Sequence, residues 1–276
     1  MTEIKTANKP AAAVKNPVRK QEAKTMRDYV SIMEPEIKKA LPSMIKPERF
    51  TRMVVSALST NKALQECTPQ SFLGAMMAAA QCGLEPNTVL GEAYLLPFRN
   101  KGTLEAQLQI GYKGMITLAA RAHTTVRAET VYENDEFEYE LGLDPKLVHK
   151  PVLKDRGNPI AYYATWKNAE LQAEGFCVMS KEDIDRYAKK YSKAYDSSTS
   201  PWKTNFDSMA KKTVIKQALK YAPMNAEIQR MMSNDETIKH DISFDMSDVK
   251  DQTDYTDIVD AEYTINEETG EVKTAA

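Results

Sequence analysis

The stretch between Thr68 and Gly83 constrains the fold more than any other part of the chain, because it has the pattern of a helix without a polar face. Thr68 and Pro69 suit an N-cap and a first helical position, Gly83 suits a C-terminal cap, and Pro86 blocks any continuation. Residues 72–80 between them are apolar on nearly every side and mostly small. A helix of that kind is buried, so the chain must place other elements all around it.

Beyond residue 92 the hydrophobic period changes from that of a helix to that of a strand. Residues 104–110 alternate between apolar and polar side chains, and residues 93–98 supply a matching partner strand. The short connection between the two contains Arg99 and Lys101. The pattern predicts a β-hairpin with a basic tip.

The same criteria predict further elements on both sides of this hairpin. They are helices starting at Pro47, over Tyr112–Ala122, over Lys181–Tyr191, over Pro201–Tyr221 and over Ala226–Met232, and strands over Thr125–Tyr132, Phe137–Leu141, Ile160–Trp166 and Gly175–Met179. We therefore expect an α+β fold, a single domain over residues 26–234 in which a hairpin-containing antiparallel sheet packs against helices. A flexible basic arm over residues 1–25 and an acidic disordered tail over residues 235–276 are expected at its two ends.

Charge is distributed unevenly along the 276 residues, although the whole chain carries a net charge of only −2. Residues 235–276 contain 3 Lys and Arg against 13 Asp and Glu, a local charge of −10, which leaves +8 on residues 1–234. A basic body joined to an acidic tail is common in proteins that bind polyanions.

Several classes of protein are disfavoured by what the sequence lacks. It has no run of 18 apolar residues for a membrane span, and residues 1–24 lack the apolar centre of a secretory signal. Cys67, Cys82 and Cys177 are odd in number and widely spaced, which favours reduced thiols in a cytoplasm. There is no Gly-Lys or Gly-x-Gly and no zinc-ligand spacing, so we expect no cofactor, no metal and no catalytic residue.

One enzymatic alternative stays open, a metal-dependent nuclease. The segment Asp144–Lys146 follows Asp135, Glu136 and Glu138, and carboxylates that hold Mg²⁺ beside a lysine hydrolyse phosphodiesters. The competing interpretation is a turn in which Asp144 and Pro145 end a strand. We favour the turn because so short a motif is common by chance.

The helix over Tyr112–Ala122 places Lys113, Thr117 and Arg121 on one strip, opposite an apolar side. Residues four apart on a helix stand about 6 Å from each other, close to the phosphate spacing of a nucleic-acid strand, and all three side chains donate hydrogen bonds to phosphate. A solvated helix face is the alternative. The strip contains no acidic residue, so both interpretations stay open.

The helix predicted over Pro201–Tyr221 carries a second cationic row, made of Lys212, Lys216 and Lys220. Lys211 falls within the apolar stripe of the same helix, where it must pair, reach past small side chains to water, or meet an anion. Trp202 lies on this helix as well and could stack on bases, although packing into the core is the commoner fate of such a ring.

Arg99 and Lys101 at the hairpin tip and Arg127 on the strand after the first basic helix are the remaining candidates. Two separate basic regions on ordered elements, each with aromatic residues nearby, are typical of a groove that follows a sugar–phosphate backbone.

Five blocks follow one another in an order known from one protein family: Gly83–Pro86, Leu90–Phe98, Gln109–Ile116, Glu136-Phe137 with Leu141–Asp144, and Trp202 with Met209–Thr213. In these blocks the chain resembles the phage RecT-type single-strand annealing proteins, and the resemblance extends over roughly residues 31–235. It implies a Rad52-like core and DNA binding by Lys113, Arg121, Lys211, Lys212 and Lys216, with Thr117, Arg99, Lys101, Arg127 and Trp202 as further candidates.

The resemblance also implies a function in phage homologous recombination. Proteins of this family bind single-stranded DNA, form homo-oligomeric rings or helical filaments and anneal complementary strands into a duplex without ATP. Pairing needs no fuel, because it releases about 1.4 kcal/mol per base-pair step. Implied partners are a phage exonuclease and the single-stranded-DNA-binding protein of the bacterial host, in whose cytoplasm we expect the protein. A passive single-strand-binding protein that only coats DNA is the alternative that the same groove permits.

Overall fold

The computed structural model describes residues 25–100, 102–192, 195–198, 200–233, 235, 258–259, 263–265 and 272–274. Its helices are α1 Met26–Ile32, α2 Glu34–Ala40, α3 Pro47–Thr60, α4 Lys62–Gln65, α5 Pro69–Cys82, α6 Tyr112–Arg121, α7 Lys181–Tyr191, α8 Pro201–Thr204, α9 Phe206–Leu219 and α10 Ala226–Ser233. Its strands are β1 Ala93–Asn100, β2 Thr103–Ile110, β3 Thr124–Tyr132, β4 Glu136–Glu140, β5 Lys146–Lys150, β6 Pro159–Asn168, β7 Ala173–Ser180, β8 Ile258–Val259, β9 Tyr263–Ile265 and β10 Val272–Thr274.

Helix α5 is buried along its length, as its sequence predicts. The Thr68 side chain accepts a hydrogen bond from the backbone N–H of Ser71, and Gly83 ends the helix with a left-handed φ of 57°. Every residue from Ser71 to Ala80 is buried. The helix is enclosed by α1, α2, α10 and the β1–β2 hairpin, which is the surrounding layer that an apolar helix requires.

The β1–β2 hairpin is confirmed as well. Its two strands pair antiparallel without a break from Ala93 opposite Ile110 to Asn100 opposite Thr103. The other edge of β1 pairs with β8, where Arg99 lies opposite Val259. β2 ends at Ile110 and α6 begins at Tyr112, so a single residue connects the hairpin to α6.

A second antiparallel sheet has the order β3–β6–β7, and β4 and β5 form a separate hairpin that joins β3 to β6. The sequence predicts β3, β4, β6 and β7 but misses β5, which is only five residues long and has an apolar residue, Val148, at an exposed position. Helices together with antiparallel sheets confirm the α+β class. The Rad52-like core and the domain boundaries stay predictions.

Helix α9 differs from its predicted form in two respects. The helix expected over Pro201–Tyr221 breaks at Asn205, whose φ of −147° and ψ of 58° are not helical, so α8 and α9 are separate. In addition, α9 contacts β3, β6 and β7 on one side and α6 on the other, so it is buried nearly all round. The expectation that Lys211 lies in the buried stripe is wrong: Lys212 is the buried lysine, with 7% of its surface exposed.

The predicted terminal segments fall largely beyond the described residues. The basic arm over residues 1–24 lies outside them, and of the acidic tail only Asp235 and strands β8 to β10 lie within them. Among the described residues, no helix is both long and apolar enough to span a bilayer.

Candidate nucleic-acid interface

A cleft opens where α6, α9 and the base of the β1–β2 hairpin meet. Its empty volume, counted out to open solvent, is about 800 Å³. Three segments form its walls: residues 89–94 before and within β1, residues 109–113 at the junction of β2 and α6, and residues 201–212 around the break between α8 and α9. Most of these positions belong to the sequence blocks that carry the family resemblance, so blocks far apart in the chain converge on one cavity.

The charged side chains that line this cleft are both lysines, and one of them, Lys212, lies 3.6 Å from the carboxylate of Asp235. The residues that line it include Lys113 and Lys212 and no aspartate or glutamate. The N-terminus of α6 also opens here: Gly111 is its N-cap, no side chain caps it, and its first turn contains no acidic residue. Unpaired N–H groups and the positive end of a helix dipole favour a bound anion.

Gly111 lets α6 approach β1 closely enough to close one wall of the cleft. Its N–H donates to the carbonyl oxygen of Glu92 at 2.8 Å. A Cβ at this position would stand 2.2 Å from the carbonyl oxygen of Gly91, which no side chain can do without moving the backbone. Glycine is therefore required at this position by packing, and Lys113, two residues later, lines the cleft.

The three residues of the predicted strip along α6 have different surroundings in the folded protein. Lys113 is exposed and forms no ion pair with any described residue. Thr117 donates its hydroxyl to the carboxylate of Glu92 at 2.8 Å. Arg121 donates to the carbonyl oxygens of Cys82 and Gly83, the second at 2.7 Å, and so caps the C-terminus of α5. Of the three, only Lys113 lines the cleft.

The lysines of α9 are paired with carboxylates. Lys211 lies 2.8 Å from Asp207, one turn earlier on the same helix, and Thr130 donates its hydroxyl to the same carboxylate at 2.7 Å. Lys216 and Lys212 lie 3.0 and 3.6 Å from Asp235. The structure therefore brings Lys212 together with Lys113 across the cleft, whereas Lys211 is not among the lining residues.

Two further basic candidates, Arg99 and Arg127, lie apart from this cleft. Arg99 is exposed at the end of β1, where its guanidinium donates to the carbonyl oxygen of Gly102 at 3.4 Å. Arg127 is exposed on β3, an edge strand of the second sheet. Lys101 lies outside the described residues. Neither Arg99 nor Arg127 lines the cavity.

Trp202 takes the position in the core that the sequence favours for it, while a role in DNA binding stays a prediction. Trp202 is buried, with its ring centroid 5.8 Å from that of Phe206 and 6.4 Å from that of Tyr195. The aromatic residues that line the cleft are instead Tyr94 and Tyr112, both half-buried. Sequence reasoning missed them, although both lie within the blocks that resemble the family.

The carboxylates named for the nuclease alternative do not gather into a metal site. Asp135 has no exposed side-chain surface: Arg156 donates to it twice, at 2.6 and 3.0 Å, and a ring nitrogen of His149 lies 3.1 Å away. The Arg156 hydrogen bonds hold the pKa of this carboxyl well below its usual range. Asp144 is exposed in the turn between β4 and β5. Within the described part of the chain, no group of three or more His, Cys, Asp or Glu side chains could hold a metal ion.

Comparison with known proteins identifies the family of this chain. The RecT family profile matches residues 48–255. The chain is 38% identical to Protein RecT of Escherichia coli K12 over 266 residues, which cover 92% of each chain. It is also 26% identical to the uncharacterized protein YqaK of Bacillus subtilis 168, over 92% of this chain and 86% of that one. With its family blocks assembled around one cationic cleft and a profile match over most of its length, the chain belongs to the RecT family.

Proposed function

We propose that the protein binds single-stranded DNA by its phosphate backbone in the cleft between α6 and α9 and anneals it to a complementary strand. Membership in the RecT family supports the general part of this proposal, a function in DNA recombination by strand annealing. The cleft supports the finer part. Its acid-free lining, with Lys113 and Lys212 beside the uncapped N-terminus of α6, is the observation that carries it.

The lining suits a DNA strand whose bases must stay accessible for pairing. Lysines, helix N–H groups and hydroxyls bind phosphate oxygens and carry no sequence information, which leaves the Watson–Crick edges open to an incoming strand. Tyr94 and Tyr112 offer π-faces on which bases of any identity stack. A cationic groove also reduces the repulsion between two polyanions.

Annealing in this proposal is independent of ATP. Base pairing supplies about 1.4 kcal/mol per step, so the protein contributes order and charge neutralisation. We further propose that it acts as a homo-oligomer, a ring or helical filament, beside a phage exonuclease and the host single-stranded-DNA-binding protein in the bacterial cytoplasm. Imaging the protein with and without two complementary oligonucleotides tests the oligomeric part.

The decisive experiment mixes two labelled complementary oligonucleotides with the protein and follows duplex formation. We expect pairing to be faster than in buffer, and slower with Lys113→Ala than with the unchanged protein. Lys39→Ala is the matched control, because Lys39 is exposed on α2 and pairs locally with Glu36. Suppressed pairing would favour the passive single-strand-binding protein. Mg²⁺-dependent shortening of the DNA, lost on Asp144→Asn, would favour the nuclease.

A further inference from the structure

The carboxylate of Asp235 accepts two hydrogen bonds at the edge of the cleft and lies close to a further ammonium group. One oxygen accepts a hydrogen bond from the backbone N–H of Ile110 at 2.7 Å, and the other accepts one from the ammonium of Lys216 at 3.0 Å. The ammonium of Lys212 lies 3.6 Å from that second oxygen. Only 1% of the Asp235 side chain is exposed, and both Ile110 and Lys212 line the cleft.

This constellation has the chemistry of a phosphate site. Two ammonium groups and one backbone N–H that face two carboxylate oxygens are donors of the kind that also bind the non-bridging oxygens of a phosphodiester. Lys212 has only 9% of its side chain exposed, so its charge needs an anion beside it whether or not DNA is bound, because an unpaired buried ammonium is very costly.

Asp235 is also the first residue of the segment that carries 13 acidic against 3 basic side chains. It lies two residues beyond the end of α10, 19 residues from Lys216 and 125 residues from Ile110 in sequence. The carboxylate of Asp235 therefore serves as the counter-ion that the buried ammonium of Lys212 needs. Asp235 is thus both a contact of the cleft-lining residue Ile110 and the first residue of the acidic segment.

We propose that Asp235 occupies a backbone-phosphate site in the DNA-free protein, and that a phosphate of the incoming strand replaces it. This inference rests on the proposed function, since it names the regulation of the same cleft. The exchange keeps Lys212 and Lys216 paired in both states and moves the Asp235 carboxylate into water. Strand binding is therefore weakened by the ion pairs that it has to break.

Asp235→Asn tests the exchange, because the amide oxygen still accepts from Ile110 while the competing charge is removed. We expect its affinity for an oligo-dT strand to rise by roughly tenfold, the factor equivalent to about 1.4 kcal/mol. The matched control is Glu174→Gln, which makes the same change in net charge at an exposed pair with Lys167, 3.0 Å away. We expect the control to change affinity by less than about twofold, as for most surface ion pairs.

An affinity of Asp235→Asn equal to or weaker than that of Glu174→Gln overturns the proposal and leaves Asp235 as a structural counter-ion. A second measurement uses the unchanged protein and does not depend on how well the variant folds. Hydrogen exchange of the α10 segment through Asp235 should become faster when oligo-dT binds, and unchanged or slower exchange contradicts the displacement. If the unchanged protein binds no oligonucleotide at all, the proposed function fails along with the inference, whereas normal binding without these effects removes the inference alone.

Discussion

Gly114 lies against the backbone of Glu92, so closely that a Cβ on Gly114 would stand 2.1 Å from the Glu92 carbonyl oxygen. The contact joins the first turn of α6, which lines the cleft, to the residue before β1. Gly114→Ala must push the helix away from the strand, since a carbonyl oxygen cannot be moved as a flexible side-chain end can. We expect it to lower the free energy of unfolding by roughly 1–3 kcal/mol, as overpacking does, and to weaken strand binding.

Urea unfolding and oligonucleotide titration measure these two effects of Gly114→Ala. Ala120→Gly is the matched control on the exposed side of the same helix, and its helix-propensity cost of about 1 kcal/mol should leave binding unchanged. Gly114→Ala with normal stability and normal affinity would show that α6 tolerates a wider spacing from β1.

Lys113→Ala should reduce the dependence of strand binding on salt. Lys113 is exposed at the cleft and forms no ion pair with the described residues, so in the proposed complex it neutralises one phosphate. The slope of log affinity against log salt concentration should fall in magnitude by about 0.7. Titrations at four or more salt concentrations measure it, with Lys39→Ala as the control. An unchanged slope would remove Lys113 from the interface.

Trp202 should matter for stability and not for DNA contact, because its ring is buried against Tyr195 and Phe206. Trp202→Ala should cost about 3–5 kcal/mol of unfolding free energy. Trp202→Phe, which keeps an aromatic ring in the core, should cost less and bind oligonucleotides with the affinity of the unchanged protein. Strongly weakened binding by a stably folded Trp202→Phe would return this residue to the candidates for base stacking.

Asp135 should make stability depend on pH in the acid range. The hydrogen bonds from Arg156 lower the pKa of this carboxyl in the folded protein, below the value of about 3.9 that an unfolded chain has. The contribution is therefore fully present above about pH 5 and is lost as the pH falls towards the folded pKa. Asp135→Asn should be less stable than the unchanged protein at pH 7, and the difference should shrink below pH 4.

Urea unfolding at a series of pH values measures this dependence on Asp135. Asp144→Asn, at an exposed turn, is the control that should follow the unchanged protein throughout. A difference between Asp135→Asn and the unchanged protein that stays constant from pH 7 to pH 3 would mean that the ionised carboxylate is not what stabilises the β4–β5 hairpin.

The sequence alone determines the elements whose signals are local. The caps at Thr68 and Gly83 and the apolar run between them specify α5, and the alternation over residues 104–110 specifies the hairpin, because capping and periodicity depend only on neighbours along the chain. The order of its blocks likewise points to the family. The same local signals miss β5, whereas the Thr25–Asp28 capping box is a local signal for the start of α1.

Only the tertiary structure decides which charged side chains share the cleft. A helical wheel assumes one buried face, whereas α9 lies between a sheet and α6, so Lys212 is buried and Lys211 is not. Arg121 donates hydrogen bonds to the carbonyl oxygens at the end of α5. Asp235 accepts one from Ile110, which is 125 residues away in sequence. Pairing of charges depends on distances in space, and these are set by how the helices and sheets pack.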